Sequence, residues 1–429
     1  REDPRKKGLL YAATELQVWV SFDDGDHWQS LKLDMPPISV RDIMLKDDST
    51  CHCSDLIAGT HGRGFYILDD VTPLRQMAEA RAAMGTTSAF LYKPATALRL
   101  RYGTNDPTPW PPELPAGENP IPGAIIDYSL AKDASQPVKI DILNSTGKLV
   151  RSYSSNDLKL NPDPAIDAAG YDEICKKRPS ATDCGLPLYW PGPQILVSPR
   201  AGFHRFSWDM RYNTIGIDDP NAGGDEDANG AVPHHTYSSI YAPWAPPGVY
   251  TVRLTVDGKS YTQPITVRLD PRVKTPAAAL TQLATLTRDT YEMAIAAHAA
   301  RLQARDLVTQ LDKIGGDDAN KLKTQIETLA PPINGPVRRG RGGRGRGGAG
   351  AGQKSLETVT NSLMAAVMAT QNAEAAPTAD QVAAATKARA EASDVLRQWN
   401  QIKTAGVASF NTKRKAAGQS VISVPAVDF

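Results

Sequence analysis

The sequence predicts a multidomain chain, mainly β with an α-helical C-terminal part: the last blades of a β-propeller, an immunoglobulin-like β-sandwich and an antiparallel helical bundle. Three observations predict it. A strand-rich repeat of about 46 residues opens the chain, which is the length of a four-stranded propeller blade. Apolar residues then alternate with polar ones as far as residue 272, at the period of half-buried strands. Beyond Asp270-Pro271 the apolar period becomes helical.

Residues 1–75 carry the repeat. Ser21-Phe22-Asp23-Asp24-Gly25-Asp26-His27-Trp28 fits the pattern S-x-D-x-G-x-x-W at its four defined positions, Ser21, Asp23, Gly25 and Trp28. Asp23 and Gly25 suit a tight turn between strands, because Asp bonds its own backbone and Gly accepts positive φ. Trp28 is expected to pack back over this hairpin. Further along, Leu56-Ile57-Ala58-Gly59-Thr60 repeats Leu10-Tyr11-Ala12-Ala13-Thr14, and Asp69-Asp70 repeats Asp23-Asp24. The second copy keeps its strands but loses the Gly and Trp of the turn, running instead into Val71-Thr72-Pro73. A closed propeller needs about four to eight blades, and fewer than two are present. Residue 1 is therefore expected to fall inside a domain, in the C-terminal part of a longer protein. Residues 76–122 read as a linker with a long loop around Trp110-Pro111-Pro112.

Residues 123–272 read as the sandwich, with long insertions. Val138, Ile140 and Ile142 alternate with polar residues up to the turn Asn144-Ser145-Thr146-Gly147, and a strand resumes at Leu149. Tyr250, Val252, Leu254 and Val256 lead into Asp257-Gly258, a two-residue hairpin turn, and Ile265, Val267 and Leu269 return. Residues 124–130 and 203–209 add strands, giving about six, a number that suits an immunoglobulin-like sandwich.

Residues 275–429 read as the bundle. Thr275-Pro276 opens a helix and Gly315-Gly316 closes it. Leu286, Met293, Ala300, Leu307 and Ile314 recur at heptad spacing, with Leu283, Ala297, Ala304 and Leu311 interleaved. Leu356, Val359, Leu363 and Val367 mark a second helix. Thr378 and Gln381 form a capping box opening a third, with Val382, Val395, Trp399 and Ile402 on its apolar side. Between the first two lies a Gly/Arg-rich loop, 337–352.

A net charge of +1 and 41% hydrophobic residues give no global signal for nucleic acid, an acidic substrate or disorder. Nucleic acid is not an expected partner. No apolar run approaches the ~20 residues a membrane helix needs. Cys175 and Cys184 bracket a short loop and form a candidate disulfide in an oxidising compartment. Cys51-His52-Cys53 has the elements of a metal site, but no second Cys/His pair stands at zinc spacing, and a blade loop with incidental thiols accounts for it.

The chain resembles the C-terminal part of the large BNR-repeat, or Asp-box, propeller proteins related to the sortilin-type propellers, many of them glycosyl-hydrolase-like. The likeness rests on residues 18–28, on 58–70, on Gly123-Ala124-Ile125-Ile126-Asp127-Tyr128, on Phe206-Ser207-Trp208-Asp209-Met210-Arg211, on Pro247-Gly248-Val249-Tyr250 and on Leu269-Asp270-Pro271-Arg272. It spans about residues 8–275; the helical part matches only in kind. The resemblance implies a secreted, extracellular or periplasmic protein whose propeller binds carbohydrate or protein. It also leaves open a glycoside hydrolase, which needs two carboxylates about 5–9.5 Å apart. Those are expected on blades upstream of this chain, and no catalytic residue is assigned. Asp23, Asp24, Asp69 and Asp70 are explained by turn bonding alone.

Two further tracts carry chemistry in their composition. Asp225, Asp227 and Asn229, followed by Gly230, fit the opening of a calcium loop, with oxygen ligands at alternate positions. Thr236 stands where the closing Glu belongs and Pro233 interrupts the loop, so a solvated acidic insertion competes with calcium as the reading. Residues 338–348 resemble an RNA-binding Arg-Gly tract, but no aromatic is interleaved, and we read a flexible connection between helices. Such a loop buries no apolar area and costs only closure entropy, about 0.6 kcal/mol per doubling of length. Replacing residues 338–348 by a short Gly/Ser linker is expected to leave the melting temperature nearly unchanged, as read by circular dichroism.

Overall fold

In this computed structural model the described residues are 1–49, 53–100, 123–157, 196–215, 242–332 and 354–427, with residues 169, 173 and 176. They divide into two compact units, one containing the sheets and one the C-terminal helices from Thr275 onward.

The first unit opens with two small sheets. Strands β1 (Glu2–Asp3), β2 (Lys6–Ala13), β3 (Val18–Ser21) and β4 (Gln29–Ser30) form an antiparallel meander. Strands β5 (Val40–Asp48), β6 (Cys53–Thr60) and β7 (Phe65–Leu68) form a second. One apolar core joins them. Leu9, Tyr11, Val18 and Val20 from the first sheet meet Val40, Ile43, Leu56 and Ala58 from the second, all at most 5% exposed.

The repeat reappears as hydrogen bonds. Asp24 N donates to Gly8 O at 3.0 Å, and Val71 N donates to Ser54 O at 2.8 Å, at the corresponding place in the second sheet. The hairpins differ by one residue. Thr14 N to Gln17 O closes a loop of Glu15-Leu16, whereas Thr60 N to Gly64 O closes a loop of His61-Gly62-Arg63. The identity at Leu10–Thr14 and Leu56–Thr60 therefore holds up to the hairpin, and the return strand is displaced by the extra residue.

Two short helices follow, α1 (Thr72–Arg75) and α2 (Met77–Met84). The stretch expected as linker then contributes strands β8 (Ala89–Leu91) and β9 (Ala97–Arg99), both of which join larger sheets. Strands β10 (Ala124–Leu130), β11 (Lys139–Leu143), β12 (Leu149–Ser154), β13 (Gly202–Trp208), β14 (Gly248–Val256) and β15 (Lys259–Leu269) match the alternation in the sequence. They form a three-stranded sheet β13-β10-β8 and a mixed five-stranded sheet β12-β11-β14-β15-β9, in which β9 runs parallel to β15. Both sheets feed one core around Trp208, Phe206, Ile126, Ile140 and Val252. Register is set locally. Asp257 (φ 47°) and Gly258 (φ 79°) both take positive φ, the two-residue turn that fits right-twisted strands.

The second unit holds α3 (Ala277–Ile314), α4 (Asp317–Leu329), α5 (Leu356–Ala369) and α6 (Ala379–Gln401). A π-helical turn at Ile402–Val407 runs into α7 (Ala408–Ala416). Helix α3 begins at Ala277, so Pro276 is its cap, one residue later than the sequence suggests. The capping box of α6 forms in both directions, Thr378 with Gln381. Leu283, Ala297, Ala304 and Leu311 are buried as the heptad predicts, along with Ala300 and Leu307. Leu286, Met293 and Ile314 are only half-buried; Thr287, Tyr291 and Ala294 take the core positions there. Thr287 and Thr370 share a buried hydrogen bond of 2.7 Å between hydroxyls, which satisfies both. Helix α4 is an addition: Gly315-Gly316 ends one helix and starts the next. Among the described residues no helix is long and apolar enough to cross a membrane.

Trp208 is fully buried, meets the Tyr250 ring edge-on at 5.2 Å, and donates from Nε1 to Arg211 O at 3.0 Å. Truncating it leaves a cavity and removes its bond to the Arg211 carbonyl. Trp208→Ala is expected to destabilise the sheet unit by about 3–5 kcal/mol in urea unfolding.

Candidate functional site

Each carboxylate singled out in the repeat can now be placed. Ser21, fully buried, donates from Oγ to Asp23 Oδ1 at 2.8 Å and accepts from Gly25 N at 2.9 Å. Asp23 also accepts from His27 N at 2.9 Å and contacts His27 Nδ1 at 2.7 Å. These bonds hold its carboxyl down at about 2, the backbone bond from His27 contributing most. Gly25 takes φ 99°, and a Cβ there would lie 3.5 Å from Leu10 Cδ1 and 3.8 Å from Trp28 Cζ2. The Trp28 ring thus lies over the turn while 40% of the residue stays exposed. The four box residues fasten a turn.

In the second sheet, Asp70 takes φ 52°, donates its N–H to Asp55 Oδ1 at 3.0 Å, and accepts from Thr72 N and Oγ1. Here a larger arrangement forms, which the motif does not announce. Arg205 on β13 lies opposite Asp127 on β10. Its Nε donates to Asp127 Oδ1 at 2.9 Å and its Nη2 to Oδ2 at 3.0 Å. The remaining donors reach Asp69 O at 2.6 Å and Asp70 O at 2.9 Å. One guanidinium therefore closes on a carboxylate of the three-stranded sheet and on two carbonyls at the end of β7.

The sequence places this pair without naming it. Ile126 and Tyr128 point into the core shared by the two larger sheets, so Asp127 falls on the outer face, as does Arg205 beside Phe206. Asp127 is 3% exposed. Burial outweighs the Arg205 charge and raises the Asp127 carboxyl to about 6, while Asp69 is raised by burial and by Asp55. The Arg205 guanidinium is itself raised by its acidic neighbours against its own burial cost.

A second charged cluster ties the two small sheets. Arg75 Nε donates to both oxygens of Asp3 at 2.9 and 3.0 Å, and Arg75 Nη2 lies 3.9 Å from Asp47. Asp47 also takes Arg5 Nε at 2.6 Å and Ser54 Oγ at 3.0 Å. These groups face one another rather than open space, although Arg75 Nη2 is buried without a hydrogen bond among the described residues. A hollow of about 200 Å³ beside α2, β8 and β15, lined by Phe90 and Tyr261 among others, is smaller than the ~300 Å³ of ordinary ligand pockets.

Among the described residues no group of three His, Cys, Asp or Glu side chains is placed to hold a metal ion. Asp225, Asp227 and Asn229, the Cys175–Cys184 pair, Cys51-His52, His234-His235 and the Gly/Arg tract lie outside the described residues. His298 is buried in α3, a packed histidine. Comparison with family models, curated proteins and solved structures finds no match.

The raised Asp127 carboxyl links folding to pH. The folded state holds this proton more tightly than the unfolded chain, whose carboxyl has the ordinary value of 3.8. Its stabilising contribution is therefore complete below that value and is lost as pH rises through about 6. Measured against Asp127→Asn, which cannot titrate, the wild-type protein is expected to lose stability across this window in urea melts. A flat difference between the two proteins from pH 4 to pH 7, on the order of error, excludes the shift.

Proposed function

We propose that this chain is the non-catalytic C-terminal part of a secreted β-propeller protein that serves as a carbohydrate- or protein-binding scaffold. Two blade-like sheets carry the repeat, an immunoglobulin-like sandwich braces them, and an antiparallel bundle completes the chain. The observation that carries the reading is the fate of the repeat's carboxylates. Asp23 spends its oxygens on Ser21 and His27, and Asp70 spends one on Thr72.

A glycosidase acid needs a raised pKa beside a sugar-sized cleft. Asp23 is held at the opposite extreme, at about 2, and Asp127, though raised, is sealed against Arg205. The chemistry available at these positions is turn closure and sheet bracing. Binding surfaces of scaffolds of this kind are built from loops on rigid strands.

The test sets binding against turnover. The purified protein is expected to leave aryl-glycosides and polysaccharides intact, while the product of the complete reading frame retains a carbohydrate or protein ligand on glycan and protein arrays. Turnover that a single Asp or Glu substitution abolishes would place the protein among the hydrolases instead.

A further inference from the structure

After α7 the chain reverses at Gly418 (φ 66°) and returns in extended form across the helical unit. Residues 420–425 belong to no helix or sheet, yet their backbone is paired. Ile422 donates its N–H to Asn411 Oδ1 at 3.0 Å, and its carbonyl accepts from Asn411 Nδ2 at 2.8 Å. Ser423 does the same with Gln310, its N–H to Oε1 at 3.0 Å and its carbonyl from Nε2 at 2.8 Å. Successive residues of an extended chain turn their N–H and C=O groups to opposite edges. Asn411 on α7 therefore reads one edge of the segment and Gln310 on α3 reads the other. Each side-chain amide stands where the peptide group of a neighbouring strand would stand.

Two more bonds extend the grip. Arg414 Nε donates to Ser420 O, and Gln303 Nε2 donates to Pro425 O at 3.1 Å. The amides are aimed from behind. Gln310 Nε2 also donates to Asp306 Oδ2, and Gln303 Oε1 accepts from Nε1 of the buried Trp399 at 3.3 Å. Of the segment's side chains Ile422 is the buried one, 3% exposed, whereas Val421 is 45% exposed. Main-chain bonds on both edges and one aliphatic anchor thus hold the segment. Main-chain groups are common to every extended peptide, and the anchor requires only an aliphatic side chain. Asn411, Gln310 and Gln303 are half-buried, so water satisfies them once the segment leaves.

We propose that the groove between α3 and α7 is a peptide-recognition site and that residues 420–425 are its intramolecular ligand. Its partner is an extended, uncharged segment of another protein with a β-branched aliphatic residue at the place of Ile422, paired along its backbone like an added strand. Ser420-Val421-Ile422-Ser423-Val424-Pro425 displays the chemistry that the groove accepts. The tether through Gly418 keeps this segment at an effective concentration on the order of mM, so the partner binds by displacing it. The site belongs to the helical unit and does not rest on the propeller reading.

Fluorescence anisotropy of a labelled peptide with the sequence of residues 419–426 tests the assignment. The wild-type protein is expected to bind it weakly. Ile422→Asp removes the anchor from the tethered segment and leaves the groove intact, so this variant is expected to bind the peptide at least about tenfold more tightly. Ser423→Pro, which removes the N–H that Gln310 accepts without burying a charge, is expected to act in the same direction. Circular dichroism checks that both variants keep their helices. A peptide N-methylated at the Ile422 amide, or carrying Asp at that residue, is expected not to bind. Adding Asn411→Asp to Ile422→Asp is expected to abolish binding, because a carboxylate oxygen then faces the peptide carbonyl. Equal affinity of the wild-type protein and both variants overturns the intramolecular ligand, and equal affinity for the N-methylated peptide overturns main-chain reading. Loss of the helices in both variants makes the segment part of the bundle core and overturns the proposal too. A doubled sedimentation mass of the wild-type protein, abolished by Ile422→Asp, assigns the segment to the groove of a second copy and overturns it as well.

Discussion

Arg205 is the side chain on which the arrangement of the sheet unit depends. Its five donors allow one planar group to serve a carboxylate and two carbonyls at once, which a lysine ammonium does less specifically. Asp127 fixes the guanidinium in the plane of its own bidentate contact, and the other edge then points at the end of β7. Asp69 and Asp70 lie where the second small sheet ends and the chain turns toward α1. Their carbonyls have left the ladder and need a donor. Burying a charge pair is expensive, and breaking it by removing one partner costs about 3–5 kcal/mol, because the other stays buried and unpaired. The contact therefore specifies how the second small sheet meets the three-stranded sheet more than it adds to net stability.

The Asp3–Arg75–Asp47 cluster repeats this logic between the two small sheets. Asp3 is on β1, Asp47 on β5 and Arg75 on α1, so three elements distant in sequence converge on one guanidinium. Tyr11 lies beside them, and burial together with Asp3 pushes its hydroxyl well above the ordinary phenol range. Apolar contact alone would let the small sheets slide over each other. The bond from Arg75 Nε to both oxygens of Asp3 fixes the alignment, while Tyr11 Oη and Arg75 Nη2 are left buried without hydrogen-bond partners among the described residues.

Local chemistry was legible in the sequence; distant pairing was not. The Ser21–Trp28 turn, the Asp257-Gly258 hairpin and the Thr378–Gln381 cap each satisfy their polar groups within a few residues, so pattern and structure coincide. The strands of the two larger sheets were readable because alternation reports which face is wet. Arg205 and Asp127 are separated by 78 residues and Arg75 and Asp3 by 72, and no local rule pairs them. A signal did exist: Asp127 interrupts Ala124-Ile125-Ile126 on a strand with apolar flanks, and a charge there requires a partner. Helix α4 shows the converse. Ala319, Leu322, Ile326 and Leu329 have helical spacing, but Gly315-Gly316 reads as a terminator, and the chain uses it as a hinge between two helices.

The exposure pattern of the small sheets follows from the same division between local and distant constraints. A run of consecutive apolar residues, such as Phe65–Leu68, makes both faces of a strand apolar without saying what covers either. In β2 and β3 one apolar face is covered by β5 and β6, and Leu10 on the other lies under the Asp-box turn, within reach of Gly25 and Trp28. In β6 and β7 the inner face is covered by the first sheet, but the box that would lie beside the outer face has lost its Gly and Trp. Val71-Thr72-Pro73 turns the chain away into α1 instead, where Arg75 can reach Asp3. Loss of the second box and formation of the Arg75 cluster are thus two results of one change in chain direction. That change leaves Phe65 and Ile67 at the surface of an otherwise well-packed sheet.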